Sequence, residues 1–191
     1  MLSKKLGRSL ERPLSRLALF VPFTPNTVTL AGFGLTIVAC IVLSFNLEIG
    51  GILILLSGFF DMMDGSVARA KGMVTSFGAF LDSVLDRYAD AAMLLAVLWN
   101  MVTQDNTVGM LLSLVSLVGS FLTSYARARA EGLGVSCGHG LLERPERIVL
   151  LAIGAITGYM IPVLWILSAL THITVIQRIL HTRRELQRRN D

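Results

Sequence analysis

The chain is poor in charge, cysteine and histidine. Charged residues make up 16% of its 191 positions, against 53% hydrophobic, and the mean hydropathy is +0.67. No nucleic-acid partner is expected from such a composition. The two cysteines, Cys40 and Cys137, are far apart in sequence, one in an apolar run and one beside a glycine-rich turn. No disulfide is expected, and both read as small buried residues. The three histidines, His139, His172 and His181, stand singly and read as structural or exposed groups rather than ligands. There is no internal repeat. The basic N-terminus lacks a compact apolar core before Pro22, so no cleavable signal peptide is expected.

Lys and Arg are missing from the connections near Glu48, Asp105 and Tyr159. They fall in four groups instead, at Lys4 to Arg16, Arg69 to Arg87, Arg127 to Arg147 and Arg178 to Arg189. Long apolar runs lie between, each close to the ~20 residues that a membrane span requires. The expectation is an all-α polytopic membrane protein with six transmembrane helices. The spans begin near Val28, Gly50, Ser76, Thr107, Pro145 and Pro162. By the positive-inside rule both termini and every basic group are cytoplasmic, in the cell membrane. Residues 1–22 have leucines on one helical face and basic residues away from it. They read as an amphipathic helix on the membrane surface, with Pro13 as a kink. Residues 23–180 then form the transmembrane domain and 181–191 a basic cytoplasmic tail. Pro25 ends the surface segment, and Asn26 or Thr27 can cap the first span.

One stretch breaks the scarcity of acid. Asp61 to Asp86 reads DMMDGSVARAKGMVTSFGAFLDSVLD. Asp61 and Asp64 share one helical face, as do Asp82 and Asp86. If the two faces meet with carboxylates about 5 Å apart, each like-charge pair costs about 3 kcal/mol at an effective dielectric near 20. Six pairs then cost roughly 20 kcal/mol, more than the ~5–15 kcal/mol by which a domain is stable. The cluster needs cations to stay ionised. Four hard oxygen donors suit Mg²⁺ or Mn²⁺, and two such ions balance four carboxylates. Gly65 leaves room for a ligand at the backbone. Arg69 can hold a phosphate, and Gly78 lets two helices approach. Metal, arginine and an open backbone together describe a diphosphate site. Asp90 continues the stripe; it can pair with an arginine or face water, and it is not counted as a ligand. Arg87 points about 100° away from Asp86 on a helix and is expected to pair elsewhere.

Asp61-x-x-Asp64-Gly65-x-x-Ala68-Arg69, eight residues, then Gly78-x-x-x-Asp82-x-x-x-Asp86 resembles the full motif of the CDP-alcohol phosphotransferases at all eight defining positions. The resemblance implies that Asp61, Asp64, Asp82 and Asp86 bind the metal ions. Asp86, the last motif aspartate, is then also the catalytic base. It implies a CDP-linked lipid as donor, with Asn26, Asp61, Gly65, Ala68, Arg69 and Thr75 around the nucleotide, and a homodimer. Thr75 can equally be a helix cap. Three basic sites stand beyond the motif, Arg127, Arg147 and Arg178, each of which alone can be an interfacial anchor. With Ser124 they match places that hold the inositol phosphate in the phosphatidylinositol-phosphate and archaetidylinositol-phosphate synthases. Arg127 stands where some relatives have Lys. The expected reaction transfers a phosphatidyl-type group to inositol 1-phosphate with release of CMP. Glycerol 3-phosphate is the alternative acceptor, and the lipid tail can be diacylglycerol or archaeol. Two other readings compete. Intramembrane carboxylates can mark a cation transporter, although the chain lacks an inverted repeat. They can also merely pair with Arg69, Arg87 and Arg127.

Overall fold

A computed structural model describes residues 24–70, 72–138 and 140–190; for 62–70 and 190 only the backbone is described. The amphipathic helix expected over 1–22 lies outside the described residues. These hold six helices and no strand: α1 Pro25–Phe45, α2 Leu47–Ala70, α3 Ser76–Thr103, α4 Thr107–Gly132, α5 Arg144–Thr157 and α6 Met160–Asn190.

The helix starts follow local chemistry. Thr24, not Asn26 or Thr27, caps α1, and its hydroxyl accepts from Thr27 N–H at 3.3 Å. Pro25 follows in the first helical position, where its missing N–H and fixed φ cost nothing. Thr75 caps α3 by accepting from Gly78 N–H at 3.0 Å. Asn106 caps α4 by accepting from Gly109 N–H at 2.9 Å. Glu143 and Glu146 form a capping box at the head of α5, with Glu143 N–H donating to the Glu146 carboxylate at 2.9 Å.

Packing runs α1–α2, α2–α5, α5–α6, α6–α4, α4–α3 and α3–α1. The six helices therefore close into a ring. Large apolar side chains such as Phe45, Phe77, Trp99 and Trp165 are exposed, the reverse of a water-soluble surface. The interior of the α4–α6 contact is polar. Ser116 and Ser168 hydroxyls meet at 2.9 Å, and Thr123 Oγ1 donates to the Thr171 carbonyl at 3.2 Å. A Cβ at Gly119 would overlap Thr171, so the small residue is what lets these two helices touch.

Among the described residues, α1, α4 and α6 are long and apolar enough to cross a membrane, with mean hydropathies of 2.3, 1.7 and 1.7. Two expectations need adjustment. The fifth helix has 14 residues, about 21 Å at 1.5 Å per residue, because Gly158 turns the chain with φ of 75°. The sixth starts two residues before Pro162, at Met160, and continues unbroken through the basic tail to Asn190.

Candidate functional site

The site lies inside one end of the ring. Asp61 sits nine residues before the end of α2, and Asp82 and Asp86 lie in the first three turns of α3. Both helices pack on α1, and these positions meet at one end of the ring. One carboxylate oxygen each from Asp61, Asp82 and Asp86 lies within 4.8 Å of the others, a spacing that can hold a metal ion. Asp64, Gly65, Ala68 and Arg69 lie on α2, but their side chains fall outside the described set.

A cation is already in contact with this group. Arg144, the first residue of α5, donates from one terminal nitrogen to Asp61 Oδ2 at 2.6 Å and lies 2.9 Å from Asp86 Oδ1. Its Nε stands 3.4 Å from Asp90 Oδ1. The guanidinium thus joins α5 to both carboxylate-bearing helices across the ring. Asp90 pairs with arginine rather than facing water: Arg147 donates to its Oδ2 at 2.7 Å, and both residues are 7% exposed.

Two expectations about arginine partners are corrected. Arg87 does not pair elsewhere; its guanidinium bends back to 3.8 Å from Asp86 and donates to the Ser83 carbonyl one turn away. A long side chain covers the 100° offset that separates neighbouring residues. The structural reading of the carboxylates named Arg69, Arg87 and Arg127. Among the described residues, the carboxylates meet Arg144 and Arg147 most closely, Arg87 stands 3.8 Å from Asp86, and Arg127 pairs with Glu131 at 2.8 Å instead.

Arg144 was not singled out from the sequence. One signal was available. An arginine in the first position of a helix sits at the positive end of the dipole, where cations are disfavoured. It needs a strong acidic partner, and the Asp61–Asp86 stretch is the concentration of acid on the same side.

A cavity of about 1020 Å³ opens beside the carboxylates. Asp86 and Arg144 line it, and so do Ser124, Arg127, Arg147 and Arg178. The four residues that sequence assigned to an acceptor phosphate therefore meet in one space with the last motif aspartate. Each arginine there is held separately. Arg147 leans on Asp90, Arg127 on Glu131, and Arg178 donates to the Thr123 carbonyl at 2.5 Å. The Arg147 Nε is buried without a hydrogen-bond partner.

Asn26, Thr75 and Gly78 also come together. A Cβ at Gly78 would stand 3.0 Å from Thr75 Oγ1 and 3.2 Å from Asn26 Oδ1. Thr75 is a helix cap by its hydrogen bond, and it sits beside Asn26 as a nucleotide pocket would require. Gly78 permits the approach of α1 to α3.

The profile of the CDP-alcohol phosphatidyltransferase family matches residues 22–181. The chain belongs to that family. It is 36% identical over 188 residues to a phosphatidylinositol phosphate synthase of Mycobacteroides abscessus, covering 93% of this chain and 86% of that one. It is 38% identical over 170 residues to an archaetidylinositol phosphate synthase of Methanothermobacter thermautotrophicus, covering 84% and 83%. The crystal structure of the Mycobacterium tuberculosis phosphatidylinositol phosphate synthase with CDP-DAG bound superposes with a TM-score of 0.81 at 31% identity, covering 91% of this chain and 94% of that one. A second structure of that enzyme, in complex with manganese and citrate, gives the same TM-score and identity, covering 90% and 88%.

Proposed function

We propose that this enzyme transfers a phosphatidyl-type group from a CDP-linked lipid to inositol 1-phosphate and releases CMP. The observation that carries the reading is the shared cavity, in which Asp86 faces the same space as Ser124, Arg127, Arg147 and Arg178. A neutral polyol needs hydroxyl partners only. A phosphorylated acceptor needs guanidinium groups, which grip phosphate in a bidentate way. The names and bound CDP-DAG of the relatives support the same substrates.

In this reading Asp61, Asp64, Asp82 and Asp86 hold Mg²⁺ or Mn²⁺, two ions balancing four carboxylates. The donor set of oxygens alone fits such hard ions, and the spacing of Asp61, Asp82 and Asp86 supports it. Held there, such ions would supply the charge that neutralises a diphosphate and its leaving group. Asn26, Thr75, Gly65, Ala68 and Arg69 border the nucleotide. Arg127, Arg147, Arg178 and Ser124 hold the acceptor phosphate. Asp86 takes the proton from the attacking hydroxyl. That oxygen forms a bond to the lipid-side phosphorus while the bond to CMP breaks. The proton held on the Asp86 carboxyl passes to solvent as the products leave, which restores the base.

The surrounding architecture is read with it. Residues 23–180 cross the bilayer six times, and 181–191 lie in the cytoplasm. The exposed apolar side chains on all six helices support this. At ~21 Å, α5 is shorter than the ~30 Å hydrocarbon core, and its Arg144 end lies against the carboxylates. The active site and both termini face the cytoplasm, and the enzyme is a homodimer. Cysteines placed at residues 71 and 139 should label from the cytoplasmic side of sealed vesicles and one at 105 from outside; any other pattern overturns the orientation.

The acceptor is tested by offering inositol 1-phosphate, free inositol, glycerol 3-phosphate and serine at equal concentration with one CDP-lipid. Products are detected by mass. Inositol 1-phosphate should dominate. Free inositol or serine working as well refutes the proposal, and preference for glycerol 3-phosphate moves the assignment to that acceptor.

A further inference from the structure

We infer that Arg144 is an exchangeable counter-cation: it competes with the divalent ion for Asp61 and Asp86, and metal loading turns it toward the acceptor phosphate. The inference rests on the metal and acceptor assignments proposed above. Three observations carry it.

First, Arg144 contacts the carboxylates that can share one ion. Its terminal nitrogen is within 2.6 and 2.9 Å of Asp61 and Asp86, two of the three residues whose oxygens converge within 4.8 Å. A guanidinium and a divalent ion on the same two carboxylates repel each other strongly at such separations, and partial burial weakens the screening. Second, apart from Asp61 and Asp86, little holds the head of Arg144. Arg147 has a 7%-exposed carboxylate partner of its own, Asp90, at 2.7 Å. Arg144 reaches that carboxylate only at 3.4 Å, and its Nε is buried without a hydrogen bond. Third, Arg144 already lines the cavity that contains Arg127, Arg147 and Arg178. A rotation about its side-chain torsions, with α5 fixed, takes the guanidinium from the carboxylates into that space. There it adds a fourth basic group to the acceptor pocket. Arg144 is thus a positioning residue that links the two halves of the site. Linkage is reciprocal, so the acceptor should tighten metal binding by the factor by which metal tightens acceptor binding.

The test uses full-length protein in detergent, with Mn²⁺ binding followed by electron paramagnetic resonance in the absence of any lipid. Arg144→Gln removes the competing charge and should bind Mn²⁺ about tenfold more tightly, the loss of two charge-assisted contacts being what the ion no longer has to displace. Arg144→Lys keeps the charge but not the fork and should fall between the two, which guards against a folding defect in the first variant. Calorimetric titration with inositol 1-phosphate should show Mn²⁺ strengthening acceptor binding in the wild type and not in Arg144→Gln. Asp61→Asn serves as the control for the metal site. If Asp61→Asn leaves Mn²⁺ binding intact, the metal assignment fails and this inference with it. If Asp61→Asn abolishes binding while both Arg144 variants bind Mn²⁺ no more tightly than wild type, the competition alone is overturned.

Discussion

The two halves of the cavity are built on opposite plans. On the acidic side, Asp61 and Asp86 share Arg144, contributed from across the ring. On the basic side, the three arginines rest on three different groups: Asp90 for Arg147, Glu131 for Arg127, the Thr123 carbonyl for Arg178. A shared counter-ion leaves carboxylates under-neutralised and ready to take a stronger cation. Individually tethered guanidiniums have lost their rotamer freedom before a ligand arrives. The difference suits a metal cluster that must load and a phosphate pocket that must already be shaped.

Breaking the acidic half should have the largest effect. Asp61→Asn or Asp82→Asn removes a ligand and a charge, and activity should fall by about 10³-fold or more, since metal stabilisation contributes several kcal/mol at about 1.4 kcal/mol per tenfold. Excess chelator should do the same to the wild type. Full turnover in chelator would remove the metal from the mechanism. Asp86→Asn separates two duties on the same side. Loss of a general base lowers turnover by about 10²–10⁴-fold, and CDP-lipid binding should weaken less than that. Equal loss in both would make Asp86 a ligand only.

Breaking the basic half should be milder and confined to the acceptor. Arg147→Ala deletes a charge-assisted contact of about 1.5–3 kcal/mol and should raise the KM for inositol 1-phosphate by roughly 10–100-fold, leaving that for the CDP-lipid nearly unchanged. It also strips Asp90 of its closer partner. Removing one member of a buried pair is destabilising by about 3–5 kcal/mol, so a lower unfolding temperature should accompany the kinetic change. Asp90→Asn sharpens the comparison. It leaves Arg147 in place but untethered, so the acceptor KM should rise less than in Arg147→Ala. An equal rise would mean that the tether matters as much as the charge.

How much of this was legible beforehand depended on range. The carboxylates on α2 and α3 are close in sequence, and three- and four-residue spacings fix their faces. Asp61, Asp82 and Asp86 converge as that spacing predicts. Helix starts were read to within three residues, and most closely at α3, α4 and α5, where Ser76, Thr107 and Arg144 begin the helices. What lay beyond the spacing was contact across the ring. Arg144 meets Asp61 over 83 positions of sequence, and no periodicity links them. Arg87 was misjudged for the opposite reason: the helical offset is right for its Cα, but a flexible guanidinium need not follow it. The apolar pattern stops near Leu180, yet α6 runs on through the tail, whose residues contact the 133–136 turn. Arg189 donates to the Gly134 carbonyl at 2.6 Å and His181 meets the Ser136 carbonyl at 3.0 Å.

The smallest effect is expected away from both charged halves, at the nucleotide end. Gly78 separates Asn26 from Thr75, and a Cβ there would stand 3.0 and 3.2 Å from their side-chain oxygens. Those oxygens must then give by a few tenths of an ångström. Thr75 is constrained, because its hydroxyl caps α3 through Gly78 N–H itself. Asn26 is in the first turn of α1 and can turn aside more easily. Gly78→Ala should therefore displace Asn26 before it unseats the cap. Alanine favours helix over glycine by up to ~1 kcal/mol, which offsets the crowding, so the unfolding temperature should hardly move. The KM for the CDP-lipid should rise several-fold while the acceptor KM stays the same. Asn26→Ala made alongside should reproduce the effect, and the double variant should add little, as expected for two changes acting through one contact. A rise in the acceptor KM instead would place Gly78 in the service of the other half of the site.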